Sequence, residues 1–262
     1  MKVIMTVAAL VSQAVLATVV WAQTDNAEDR FVESNLNSVF YHELGHAVID
    51  LMQLPIFGQE EDAADVLSVL MIHELFEEDA AQIVAYDAAF GFQAEAEASD
   101  GTYFWDVHGP DEQRYYNLVC LFYGGSVDTR EELADELDLP EERKDSCEDE
   151  FQLASDSWGP VLEDMSKLKG RLQFKSKEKN SVSEMIAREV EFLNKTYGFP
   201  QDIEVNVEAC GEANAFTILI CKVSQFAVNL KVISGPNFPN CDHKNKYCDH
   251  KTGIRHYFLL IP

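Results

Sequence analysis

Positive charge is what this chain has least of. Lys and Arg number 20 against 46 Asp and Glu in 262 residues, for a formal net charge of -26. Between Arg30 and Arg114 there is no Lys or Arg at all, while 18 Asp or Glu fall in the same stretch. Nucleic acids and anionic membrane surfaces are bound by neutralising phosphates, so neither is an expected partner. Peptide or protein substrates that carry positive charge are favoured instead, drawn electrostatically toward an acidic cleft. No glycine-rich nucleotide loop is present. Long apolar runs are also scarce. The one from Val3 to Val20 follows a single Lys, ends in the small-residue pattern Val20-Trp21-Ala22 and is interrupted by Ser12 and Gln13. It reads as a cleaved signal peptide over residues 1–22 rather than an anchor, so no membrane span is expected in the mature chain. Export, secreted or periplasmic, makes the six cysteines readable as disulfides.

Residues 42 to 46 are His42-Glu43-Leu44-Gly45-His46, an HExxH pattern. Two histidines four apart project from one face of a helix, one turn apart, and both imidazoles can reach a single metal ion. Glu43 beside them can take a proton from an activated water and pass it to a leaving amine. Phe31, Leu36, Val39, Phe40, Ala47, Val48 and Leu51 recur at helical spacing, which predicts a helix over about 26–52 with an apolar stripe and the histidines beside it. Gly45 in mid-helix costs about 1 kcal/mol of propensity and asks for a close approach by another segment.

A catalytic zinc wants three protein ligands and an open position. Asp50 cannot be the third, because eight residues from His42 is about 12 Å along the axis. Leu54-Pro55-Ile56-Phe57-Gly58 is a turn, and Gln59-Glu60-Glu61-Asp62-Ala63-Ala64-Asp65 opens a second helical run. Glu61 and Asp65 share a face there, which predicts Glu61 as the ligand and Asp65 as the acceptor that orients a ligating imidazole. Glu60 is the rival ligand.

The stretch from Phe40 to Asp50, with Leu54-Pro55, Gly58 and Glu61-Asp62-Ala63-Ala64-Asp65, resembles a bacterial domain family of unknown function that is classed with the metallopeptidases and is gluzincin-like. The resemblance extends through His108-Gly109-Pro110-Asp111-Glu112-Gln113-Arg114-Tyr115-Tyr116-Asn117 to Cys120, Cys147 and Trp158, about residues 36–165. It implies a zinc peptidase. In the resembling segment His108, Tyr115, Tyr116 and Arg114 can donate to a tetrahedral oxyanion, and His108 is assigned that catalytic role beside Glu43. Resemblance and proximity together favour Cys120 with Cys147, Cys210 with Cys221, and Cys241 with Cys248. The last pair lies in a repeated Cys-Asp-His and could instead hold a structural metal. One departure stands out: Cys210 to Cys221 resembles a segment expected upstream of the catalytic helix, so the chain reads as a permutant or as the end of one domain copy joined to the start of another.

Helical patterns fill residues 60–98, 111–123, 131–137, 144–165 and 182–197, and alternating ones follow at 203–207, 216–223, 227–233 and 257–261. Helices first and strands later predict an α+β fold, with a helical part over 23–166, a linker over 167–179, and a helix plus β-rich part over 180–262 that completes the same domain. His73 begins a second His-Glu-Leu without the distal histidine, so it reads as a helix histidine with no metal. Two functions fit the sequence: an exported zinc-dependent peptidase with His42, His46 and Glu61 on the metal, or a binding or inhibitory module on the same scaffold without turnover.

Overall fold

A computed structural model describes residues 27–209, 226–232, 247–249 and 254–260. The signal peptide expected over residues 1–22, the Cys210 to Cys221 segment, the strand expected at 216–223 and the side chains of Cys241 and Cys248 lie outside that description. Among the described residues seven helices precede or interleave with one sheet, a mainly helical α+β arrangement: α1 Ala27–Met52, α2 Glu60–Leu75, α3 Glu78–Ala98, α4 Asp111–Gly124, α5 Val127–Glu136, α6 Glu141–Met165 and α7 Ser181–Thr196. Among the described residues no helix is long and apolar enough to cross a membrane.

Helix α1 is buried nearly all round from Ser34 to Leu51, because α2, α3 and α7 pack on it and the sheet lies against it through two strands. Leu36, Phe40, Leu44, Ala47 and Val48 are fully buried, and each large side chain of this kind stabilises the fold by about 1.5–3 kcal/mol. A central helix cannot turn its polar residues to water, so several pair between helices, although the buried Asn37 Nδ2 has no partner among the described residues. Ser34 donates to Asp87 at 2.8 Å and Arg30 binds the same carboxylate at 3.0–3.1 Å, while Ser68 donates to the Ser38 carbonyl at 2.7 Å.

The long helical pattern over 60–98 is two helices. The chain leaves α2 at Phe76 in an extended conformation and enters α3 after an extended Glu77. No Gly or Pro marks this break; it lets α3 fold back against α1 and α2 and puts the Glu78 carboxylate on Arg130 of α5 at 2.7–2.9 Å. Cys120 of α4 and Cys147 of α6 form a disulfide, whose loop of about this length contributes roughly 3–4 kcal/mol in the chain-entropy account. The two helices are in close contact, for a Cβ at Gly124 would collide with the Cys147 carbonyl.

The stretch 167–179, expected as a linker, holds β1 Leu172–Phe174. Three residues are too short to betray an alternating pattern. The other strands are β2 Ile203–Ala209, β3 Phe226–Val232, β4 Tyr247–Asp249 and β5 Ile254–Leu260, ordered β1-β2-β3-β5-β4. β1 runs parallel to β2, and the remaining pairs are antiparallel, with Ile203 opposite Val232 and Ala227 opposite Leu260. Helix α7, capped by Asn180 accepting from the Ser183 N–H at 2.9 Å, sets the buried Glu189 against α1, where Tyr41 donates to it at 2.6 Å.

Candidate metal centre

Helices α1 and α2 meet in antiparallel register. Going up α2, Glu60, Ala64, Asp65 and Ser68 face His46, Gly45, His42 and Ser38 in turn. Gly45 is the hinge point of this approach: a Cβ there would stand 3.0 Å from the Ala64 Cα and 3.2 Å from its Cβ. The absent side chain lets α2 come near enough for its carboxylates to reach the imidazoles.

Three of the expected residues converge. His42 Nε2 and His46 Nε2 are 3.2 Å apart, and Glu61 Oε2 lies 2.9 Å from His46 Nε2 and 3.3 Å from His42 Nε2. A tetrahedral zinc with bonds of 2.0–2.1 Å has ligand-to-ligand edges of about 3.3 Å, so the donor set suits a divalent ion in both spacing and chemistry. Both histidines are held from behind. His42 Nδ1 is 2.7 Å from Asp65 Oδ1, and Asp65 is gripped by Arg114 of α4 at 2.9 and 3.0 Å. Arg114 in turn lies over the Phe92 ring, 4.3 Å from its centroid. His46 Nδ1 is 3.0 Å from Glu60 Oε1. Glu60, the rival ligand, is therefore behind an imidazole rather than among the converging atoms. The signal that could have revealed this is the antiparallel pairing itself, since the earlier residue of α2 must meet the later histidine of α1.

His108 comes from the loop between α3 and α4. Its Nε2 is 3.0 Å from Glu61 Oε2, its Nδ1 is 3.5 Å from Asp106 Oδ1, and the same Asp106 oxygen accepts its backbone N–H at 3.1 Å. Of the other expected donors, Arg114 is committed to Asp65 and Tyr115 donates to the Leu137 carbonyl at 2.9 Å. Tyr116 is partly exposed and packs edge-on against Tyr115.

The electrostatics follow from this crowding. Burial lowers the His46 imidazole, but hydrogen bonds to Glu60 and Glu61 outweigh it and push it up to about 10. Burial opposes a charge on His42 too, and Asp65 and Glu61 raise it nonetheless. Burial raises Glu61, yet the three imidazoles bonded to it hold it far below the usual carboxylate range. Asp65 is likewise held low against its burial by Arg114 and His42. Glu43 moves the other way: burial raises its carboxyl, with His42 and His46 pulling only partly against that. The carboxylates around the two imidazoles make this a site where positive charge is favoured.

Another acidic cluster among the described residues, Glu131, Asp135 and Glu141, is exposed and already holds Lys144, at 2.8, 2.5 and 3.2 Å. His73 faces Arg130, whose guanidinium donates to its Nδ1 at 3.0 Å.

Fold and site together describe a mainly helical protein whose HExxH helix meets a carboxylate from the next helix in an arrangement that could hold a metal ion. A family model, DUF4344, described as "Putative metallopeptidase", matches residues 2–162. The match covers more than half of the chain, and the chain belongs to that family. No curated protein and no solved structure matches it.

Proposed function

We propose that this protein is a zinc-dependent peptidase in which His42, His46 and Glu61 hold the metal, Glu43 is the general base and Asp65 and Glu60 orient the two imidazoles. The observation that carries the reading is the meeting of His42 Nε2, His46 Nε2 and Glu61 Oε2 within 3.3 Å of one another, each imidazole backed by a carboxylate. When bound, zinc would polarise the scissile carbonyl and make water a nucleophile near neutral pH. Glu43 belongs to the motif but is not needed as a ligand. Its carboxylate, beside His42 and with its carboxyl raised by burial against the pull of the two imidazoles, is the right type of group to accept a proton from water and return it to the departing amine. His108, more exposed than the other two histidines, stands where its Nε2 can donate to a substrate oxygen once it leaves Glu61. The absence of Lys and Arg between Arg30 and Arg114 supports a preference for peptides with Lys or Arg near the scissile bond, weakening as salt is added. Export, secreted or periplasmic, with loss of residues 1–22, belongs to the same reading.

Glu43→Gln tests the chemistry apart from the metal. The variant is expected to fold and to keep zinc at parental stoichiometry while peptide hydrolysis falls at least about 100-fold. Parental turnover by Glu43→Gln would remove Glu43 as the base, and a zinc-loaded parent that cleaves no peptide in a proteome-derived library would leave a binding or inhibitory module.

A further inference from the structure

His108 shares a feature with His42 and His46 that an oxyanion donor does not require. All three imidazoles aim Nε2 at the same oxygen, Glu61 Oε2, at 3.3, 2.9 and 3.0 Å for His42, His46 and His108. All three turn Nδ1 to a carboxylate: Asp65 at 2.7 Å, Glu60 at 3.0 Å and Asp106 at 3.5 Å. An imidazole whose far nitrogen faces a carboxylate is the usual build of a histidine metal ligand, because that contact fixes the tautomer and raises the basicity of the ligating nitrogen. The ligand atoms of His42, Glu61 and His108 also lie within 4.8 Å of one another, a trio that does not include His46.

What differs is the anchorage. His42 and His46 stand on the buried α1, with side chains 8 % and 10 % exposed, whereas the His108 side chain is 41 % exposed. Its loop runs between α3 and α4, with Phe104 and Trp105 almost wholly in solvent and open space around Gly101.

We propose that His108 is a fourth, releasable ligand of the same metal, so that the resting site is closed by four protein groups and opens when the 99–110 loop withdraws. The proposal rests on the zinc reading above. A hydrolytic zinc needs one position free of protein; with His108 in place that position is filled, and a substrate gains access only by displacing a side chain held by one weak carboxylate contact and an exposed loop. The released Nε2 then faces the substrate as a donor.

Zinc-edge X-ray absorption on the full chain loaded with zinc alone should count three imidazoles in the parent and two in His108→Ala, and chelator competition should find zinc at least tenfold weaker in the variant. As an independent arm, His108→Cys loaded with cobalt(II) should develop a thiolate-to-cobalt charge-transfer band in the near-ultraviolet that the parent lacks. This arm reads the ligand directly even if His108→Ala does not fold. Two imidazoles in the parent, or a cobalt-loaded His108→Cys protein without the band, would overturn the fourth ligand while leaving the His42, His46 and Glu61 site standing. A parent that binds neither metal would sink both.

Discussion

Helix α2 has a histidine environment at each end, and the two are opposites. At its start, Glu60, Glu61 and Asp65 surround His42 and His46 of α1, and both imidazoles are raised, His46 to about 10. At its end, His73 lies beside Arg130, and burial together with that guanidinium lowers it. Arg130 is 1 % exposed and spends its donors on Glu78, the Phe122 carbonyl and His73, while its guanidinium lies 3.7 Å from the Phe122 ring centroid. Both sites begin with His-Glu-Leu. A buried histidine among carboxylates is ready to exchange its proton for a cation, whereas one beside a resident cation has no room for a second. The neighbours, not the tripeptide, decide.

The two ends of α2 should differ most at the proposed ligands. His46→Ala should abolish stoichiometric zinc as measured by metal analysis after gel filtration, and His73→Ala should leave it unchanged; zinc retained in the first or lost in the second would dissolve the contrast. Next in size are the carboxylates behind the imidazoles. Asp65→Ala and Glu60→Ala should each weaken zinc by about 10 to 100-fold in chelator competition, and an Asp65→Ala protein that binds like the parent would mean that Arg114 and Asp65 serve only to join α2 to α4.

At the other end the expected loss is in stability. Breaking a buried ion pair costs about 3–5 kcal/mol, but Glu78 is 40 % exposed and can return to water, so Arg130→Ala should cost nearer 2–3 kcal/mol in urea unfolding, with zinc stoichiometry unaltered. Parental stability in this variant would show the network to be ornamental.

An effect that appears only with changing pH concerns Glu189, which burial pushes up to about 7, with the Tyr41 hydrogen bond only partly opposing. The folded chain then keeps a proton that the unfolded chain releases between pH about 4.5 and 7. Its contribution to stability is present below that window and is lost as pH rises through it, by up to about 3 kcal/mol. Glu189→Gln cannot ionise and still offers Tyr41 an acceptor, so its stability relative to the parent should rise between pH 5 and pH 8. A difference that stays flat with pH would place Glu189 in water.

Much of the site was legible because it is local. His42 and His46 are fixed on one helix face by the 3.6-residue period, and Glu61 and Asp65 are one turn apart on the next helix for the same reason. Gly45 announced a close contact, and Ala64 makes it. The contact of Glu60 with His46 was not legible, because it depends on the antiparallel order of two helices rather than on spacing along the chain. The break at Phe76 and Glu77 was invisible because no residue there forbids a helix; the contacts of α3 with α1 and the pull of Arg130 on Glu78 favour the turn. Strand β1 was too short to leave a pattern.

By itself, the sequence determined that His42 and His46 share a helix face, that Glu61 and Asp65 share a face of the next helix, the mainly helical α+β order and the acidic composition of this stretch, since each follows from residue type and periodic spacing. Only the tertiary structure decided that Glu60 stands behind His46, that Arg114 is spent on Asp65, that His108 reaches Glu61 and that His73 faces a guanidinium. Those outcomes depend on which surfaces the packed helices bring within about 3 Å of each other, the range over which a hydrogen bond forms, and no spacing along the chain encodes that distance.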